Sequence, residues 1–165
     1  MNAKFKIGII SICFGALMIV GCSKKDANNI SNILTEKMSA TIDGKAWDAS
    51  VKKTVKNTQG FIITGTQVNS SLVSSIVAIQ IFGTTTGTYN VVAVTNNCAA
   101  TYTPDLTQPS NSFASSTGTV HLSEVNTSNK TISGTFSFEC IDLSLKSVSI
   151  TNGTFTALSY TESGK

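Results

Sequence analysis

No arginine occurs anywhere in the 165 residues. The side chain that grips phosphate, carboxylate or guanine through paired N–H bonds is therefore missing, and nucleic acid is not an expected partner. Histidine is almost absent as well, His121 being the only one. Its place among alternating residues puts it on the polar side of a strand, where an exposed bystander is the expected role. No Gly-x-Ser-x-Gly elbow is present, so a serine nucleophile has no local signature despite the abundance of serine. Carboxylates for glycoside hydrolysis would have to come from Asp43, Asp48, Asp105, Glu124, Glu139 and Asp142, and nothing in their spacing brings two of them around a cleft. No catalytic residue is assigned, and a hydrolase is the least favoured reading.

Long apolar runs are equally scarce. The one run, Ile7 to Val20, follows Lys4 and Lys6 and is shorter than the roughly 20 residues that cross a bilayer. It reads as an export signal over residues 1–21. It closes on Ile19-Val20-Gly21-Cys22, which looks like the lipobox at which bacterial lipoproteins are cut and lipidated, so Cys22 is the expected lipidation site and the membrane partner is met through a lipid anchor. Removing Lys4 and Lys6 leaves ten lysines against nine acids, so the basic character of the precursor is mostly export signal. Lys45, Lys52, Lys53 and Lys56 form a basic cluster that reads as solvated strand and loop faces.

Of the four cysteines, Cys13 leaves with the signal and Cys22 is lipidated. Cys98 and Cys140 remain, and in an oxidising compartment a disulfide between them is expected, two unpaired buried cysteines being the alternative. Two thiols and one distant histidine do not make a metal site, so neither metal nor cofactor is expected.

Residues 22–36 are polar and unpatterned, a flexible linker after the lipidated cysteine. Residues 37–165 carry β-branched and aromatic residues punctuated by Gly, Asn and Ser, enough for one core. Asp43-Gly44 between Ser39–Ile42 and Lys45–Asp48 predicts a two-residue hairpin. Phe61–Val68 is a strand, and Leu72–Phe82, apolar at both parities, predicts a strand covered on both faces. Tyr89–Val94 is another strand. A short strand around Tyr102 leads into a long loop holding Pro104 and Pro109. Thr117–Val125 and Thr131–Cys140 alternate, the latter with Ile132, Gly134, Phe136, Phe138 and Cys140 inward. In Ser147–Leu158 the parity switches across Asn152-Gly153, with Val148 and Ile150 inward before it and Phe155 and Ala157 after it, which predicts a β-bulge. The expected class is all-β, a single antiparallel β-sandwich or closed β-barrel of about 8–10 strands.

The blocks Met38-Ser-Ala-Thr-Ile-Asp-Gly-Lys-Ala-Trp47, Gly118-Thr-Val-His-Leu122, Ile132-Ser-Gly-Thr-Phe-Ser-Phe138 and Ile150-Thr-Asn-Gly-Thr-Phe155, in this order after a lipobox, resemble small Bacteroidetes lipoproteins grouped as a family of unknown function. The resemblance implies a cell-envelope β domain, at the outer membrane, and brings no catalytic residues. Ser23-Lys-Lys-Asp26 holds a single acid, unlike the acidic stretch associated with surface display, so the periplasmic and surface faces both stay open. The expected role is a binding or interaction module for another envelope protein or a glycan, with Trp47, Tyr89 and Tyr102 as aromatic anchors. The alternative is a carrier that holds a lipid or small hydrophobic ligand in a barrel cavity.

Overall fold

The computed structural model describes residues 36–70, 73–91 and 97–164. The expected export segment, Cys22 and the expected linker up to residue 35 lie outside the described residues, as do Leu72 and residues 92–94 of two expected strands.

Ten strands are described: β1 (Lys37–Ile42), β2 (Lys45–Asp48), β3 (Val51–Lys56), β4 (Phe61–Val68), β5 (Ser74–Ile81), β6 (Gly87–Val91), β7 (Cys98–Thr103), β8 (Phe113–Asn126), β9 (Thr131–Ile141) and β10 (Ser147–Glu162). One 3₁₀ turn, Pro109–Asn111, interrupts the long loop before β8. Seven strands close a ring in the order β3, β4, β5, β7, β8, β9, β10 and back to β3. The architecture is thus a closed barrel, with β1, β2 and β6 as additions, and not a sandwich.

Closure depends on the two long strands. β10 offers one edge to β9 along its length; its other edge pairs with β1 first, from Ile150 to Thr156, and with β3 afterwards, from Tyr160 to Glu162. In the same way β8 gives one edge to β9, and the other to β7 and then β6. The β3–β10 pair is parallel, so the sheet is not wholly antiparallel. The reason lies in the hairpin: β1 runs against β10, β2 turns back to run with β10, and β3 continues from β2 in the same direction after a short break.

The hairpin itself follows from Asp43-Gly44. Both residues take positive φ, 47° and 76°, and Ile42 pairs directly with Lys45, the geometry of a two-residue turn matched to strand twist. The expected bulge at Asn152-Gly153 is also present: Asn152 has φ 52° and the register shifts between Ile150 and Gly153. A second shift, between Phe155 and Leu158 with Ala157 at φ 47°, carries no clear sequence mark. It leaves Ala157 half-buried and turns Leu158 and Tyr160 into the core in its stead.

Alternation decides what fills the barrel. Ile132, Phe136, Phe138 and Cys140 of β9, Val120 and Leu122 of β8, and Val77, Ile79 and Ile81 of β5 all point inward and are buried. Each such side chain contributes about 1.5–3 kcal/mol through its burial. The outward residues of β5, among them Ile76, Ala78 and Gln80, are half-exposed, so this strand is covered on one face only. Aromatic rings occupy the middle: Phe136 stacks on Phe155 at 6.3 Å, and Phe61 meets Tyr160 edge-on at 5.3 Å.

The Cys98–Cys140 bridge expected from the sequence is not formed: both are free, buried thiols. Cys140 stands opposite Ser115 of β8 and Cys98 opposite Ile81 of β5, and β8 runs between the strands that carry them. The Cys98 thiol donates instead to the Tyr89 carbonyl at 3.3 Å.

Candidate functional site

The turn between β1 and β2, the loop between β7 and β8, and the loop between β9 and β10 all lie at one end of the barrel, here termed the mouth. The sequence places hydrophobic strand ends there and then lets the chain turn on Asp43-Gly44, on Pro104 and on Asp142. The result is a cleft of about 330 Å³ whose apolar lining is Ile42, Ala46, Trp47, Tyr102, Pro104, Phe113 and Val148. Asp43, Lys45, Gln67 and Lys146 complete it. That volume lies at the lower end of the range for small-ligand sites.

Each aromatic is held by a different element. Trp47 comes from β2 and is almost fully buried. Its indole N–H donates to Ser75 Oγ at 2.9 Å, so it offers the cleft apolar ring surface and no free donor. Tyr102 comes from the end of β7, opposite Phe113 of β8, with ring centroids 6.3 Å apart. Burial first, and the nearby Asp43 carboxylate second, push the Tyr102 phenol upward from its ordinary value. It is therefore a neutral hydroxyl donor at any physiological pH.

The polar groups divide into committed and free. The Asp43 carboxylate accepts the Ser149 backbone N–H at 2.9 Å, and the Asp43 N–H donates to the Ser149 carbonyl. These two bonds lock the hairpin tip onto β10. Among the described residues, the Tyr102 hydroxyl, the Gln67 amide and the ammonium groups of Lys45 and Lys146 have no hydrogen-bond partner, so a mostly apolar floor is rimmed by uncommitted donors.

Of the three anchors expected from the sequence, the mouth unites Trp47 and Tyr102 but not Tyr89. Tyr89 belongs to β6, is buried, and gives its hydroxyl to the Thr85 carbonyl at 2.7 Å. Its ring lies over Gly83, where it packs and is not presented. His121 is exposed on the outer face, its Nδ1 3.1 Å from Thr88 Oγ1. Asp105 accepts from its own turn at Thr107, and Glu139 accepts from Ser149 Oγ at 2.6 Å. Among the described residues no three His, Cys, Asp or Glu side chains group together as metal ligands would.

Phe113, Gln67 and Lys146 carry no functional signal in the sequence. Phe113 follows a polar, proline-bearing stretch and carries no alternation of its own; only the pairing of β7 with β8 brings it beside Tyr102. Lys45 belongs to the basic cluster of the sequence, but it opens β2 and lines the cleft, whereas Lys52, Lys53 and Lys56 lie on β3. At the opposite end a smaller hollow of about 150 Å³ lies between residues 56–58 and 162–164, and its charged groups, Lys56 and Glu162, are already paired at 3.4 Å.

No curated protein and no solved structure matches the chain. Residues 35–159, which include all of β1 to β9 and most of β10, match the family model described as a domain of unknown function, DUF6252, and the chain belongs to that family.

Proposed function

We propose that this protein is a non-catalytic binding module, lipid-anchored through Cys22 in the cell envelope at the outer membrane, and that it takes its partner, an envelope protein or a glycan, at the barrel mouth. The observation that carries the reading is the convergence of Trp47, Tyr102 and Phe113 from three strands on a cleft rimmed by uncommitted polar groups. Apolar surface supplies affinity in such a site, and a few free donors fix orientation. The free groups at the rim are two ammoniums, a neutral hydroxyl and an amide, a set that suits hydroxyl- or carboxylate-bearing partners better than a lipid chain.

The carrier alternative has less support. An apolar cargo needs the interior, and rings occupy it so closely that a Cβ added to Gly134 would lie 2.6 Å from Phe155, and one added to Gly153 2.4 Å from Phe136.

Native mass spectrometry of the mature chain after incubation with an extract of the source cells' envelopes tests the reading. The expected result is a bound component that is lost in Tyr102→Ala and kept in Lys53→Ala, on the outside of β3. A component bound equally by both variants would move the site away from the mouth.

A further inference from the structure

Beside the cleft, the loop that joins β9 to β10 displays two leucines to solvent. Leu143 is fully exposed and Leu145 is 79 % exposed. Large apolar side chains are expensive to hold in water, and both sit in a loop whose own bonds fix it. The Asp142 N–H donates to the Lys146 carbonyl, and the Leu145 N–H to the Asp142 carbonyl. The carboxylate of Asp142 accepts the N–H groups of Ser144 at 2.8 Å and Lys146 at 2.9 Å. Only the Leu143 N–H in this loop lacks an internal partner among the described residues. Leu145 meanwhile takes φ 63°, a conformation that a leucine rarely adopts.

We propose that this loop is a membrane-surface contact, with Leu143 and Leu145 entering the outer part of a bilayer. The inference rests on the lipid-anchored reading given above. A loop that dips into the outer part of a bilayer is helped by bonding its backbone donors internally, and four of the five N–H groups from Asp142 to Lys146 are bonded within this loop. Lys146 follows Leu145 directly, and Lys45 stands on the same rim. Their ammoniums suit the phosphate level while the leucines lie below it. Leu106, in the neighbouring loop at the same end, is also exposed, and its N–H is satisfied by the Ser74 carbonyl.

The covalent distance allows the contact. Fourteen residues lead from Cys22 to Glu36 and span at most roughly 50 Å. β1 then covers roughly 20 Å toward the mouth. A lipid on Cys22 therefore leaves the mouth free to reach the same bilayer. With the rim on that surface, the cleft opens at headgroup level, and the partner it takes is one presented there.

The test uses the natively lipidated chain in vesicles of phosphatidylethanolamine and phosphatidylglycerol. An environment-sensitive fluorescent amino acid is placed at position 143 in one sample, and at position 128, in the turn at the opposite end of the barrel, in another. The expected result is a blue-shifted emission at 143 that brominated acyl chains quench, and a water-like emission at 128. Leu145→Gly removes one leucine and relieves the positive φ, so quenching at 143 should fall severalfold while the denaturation midpoint is kept or raised.

A second sample, unlipidated and coupled through Cys22 to a maleimide lipid, separates the two readings. If the native chain fails to float with vesicles while the coupled chain is still quenched at 143, the lipid anchor falls and the loop contact stands. Water-like emission at 143 in a chain that floats, natively or coupled, overturns the loop contact. So does a blue shift that arises only when envelope proteins are added, which would assign the leucines to a protein groove.

Discussion

Gly65 sits where a side chain has no room: an added Cβ would lie 2.6 Å from Met38 Sδ and 2.7 Å from Trp47 Cη2. Gly65→Ala should therefore cost about 1–3 kcal/mol by overpacking, read as a lower denaturation midpoint at unchanged m-value. Because Trp47 is the only tryptophan, its emission should shift in the same variant, and an unchanged spectrum would mean that the ring is not where the mouth needs it. The two thiols give a second prediction at this scale. Burial pushes Cys98 up to about 11, a hydrogen bond from the backbone at Val120 partly opposing it, and pushes Cys140 up to about 12, with the Glu139 charge adding to the effect. From their ordinary value of 9.0, both ionise first in the unfolded chain. Their contribution to stability is thus full below about pH 9 and is lost progressively as the pH rises from about 9 to about 12. Cys98 and Cys140 should both be alkylated without any reductant, and only after unfolding. A joint peptide lighter by two hydrogens would contradict this. The cysteine pair had been read from compartment alone, and composition cannot see that a third strand runs between the two.

Strand elements were legible where the pattern was local. Asp43-Gly44 names its own turn, and Ile132 to Cys140 names its own inward face, because two-residue periodicity and positive φ are properties of a few adjacent residues. The bulge at Asn152-Gly153 was legible for the same reason: parity on its two sides disagrees. The second bulge, at Ala157, was not legible, because alanine suits either face. Half-burial of the outward side of β5 also escaped, since an apolar run reads alike whether a layer covers its second face or water touches it. The bulge supports a direct test. Deleting Asn152 removes the extra residue and leaves one unbroken alternation, with Gly153 still opposite Phe136 and Phe155 still inward opposite Gly134. The expected outcome is a chain that still unfolds as one unit and keeps its near-ultraviolet circular dichroism signal. Loss of cooperative unfolding in the deletion variant would show that the register of β10 depends on the extra residue itself.

At the scale of the whole molecule, closure rests on a few residues at the C-terminal end. Tyr160, Thr161 and Glu162 supply the ladder to β3, and Tyr160 buries its ring against Phe61 with Lys56 Nζ 5.6 Å from the ring centre. Glu162 also pairs with Lys56 and Lys130, at 3.4 and 3.7 Å, though such partly exposed pairs add little. Truncation after Ser159 should cost about 3 kcal/mol or more, mainly the loss of the Tyr160 ring from the core. Denaturation of the truncated chain checks this, and stability within about 1 kcal/mol of the full chain would mean that the ring closes without that strand end.

Neither the closure nor the mouth was legible as a whole, because both are long-range. β1 and β10 meet across more than a hundred residues, and Trp47 and Tyr102 share a cleft only once the barrel has formed. The sequence could nominate aromatics, but it could not say that Tyr89 is spent on packing over Gly83 while Tyr102 opens to solvent. The claim on which the rest depends is that the mouth is the working surface. It is tested most directly by photo-crosslinking in living cells, with a photoreactive amino acid in place of Tyr102 in one strain and of Ser128, at the opposite end, in another. The account predicts a discrete envelope component crosslinked from position 102 and not from position 128. Equal or absent crosslinking at the two positions would contradict it.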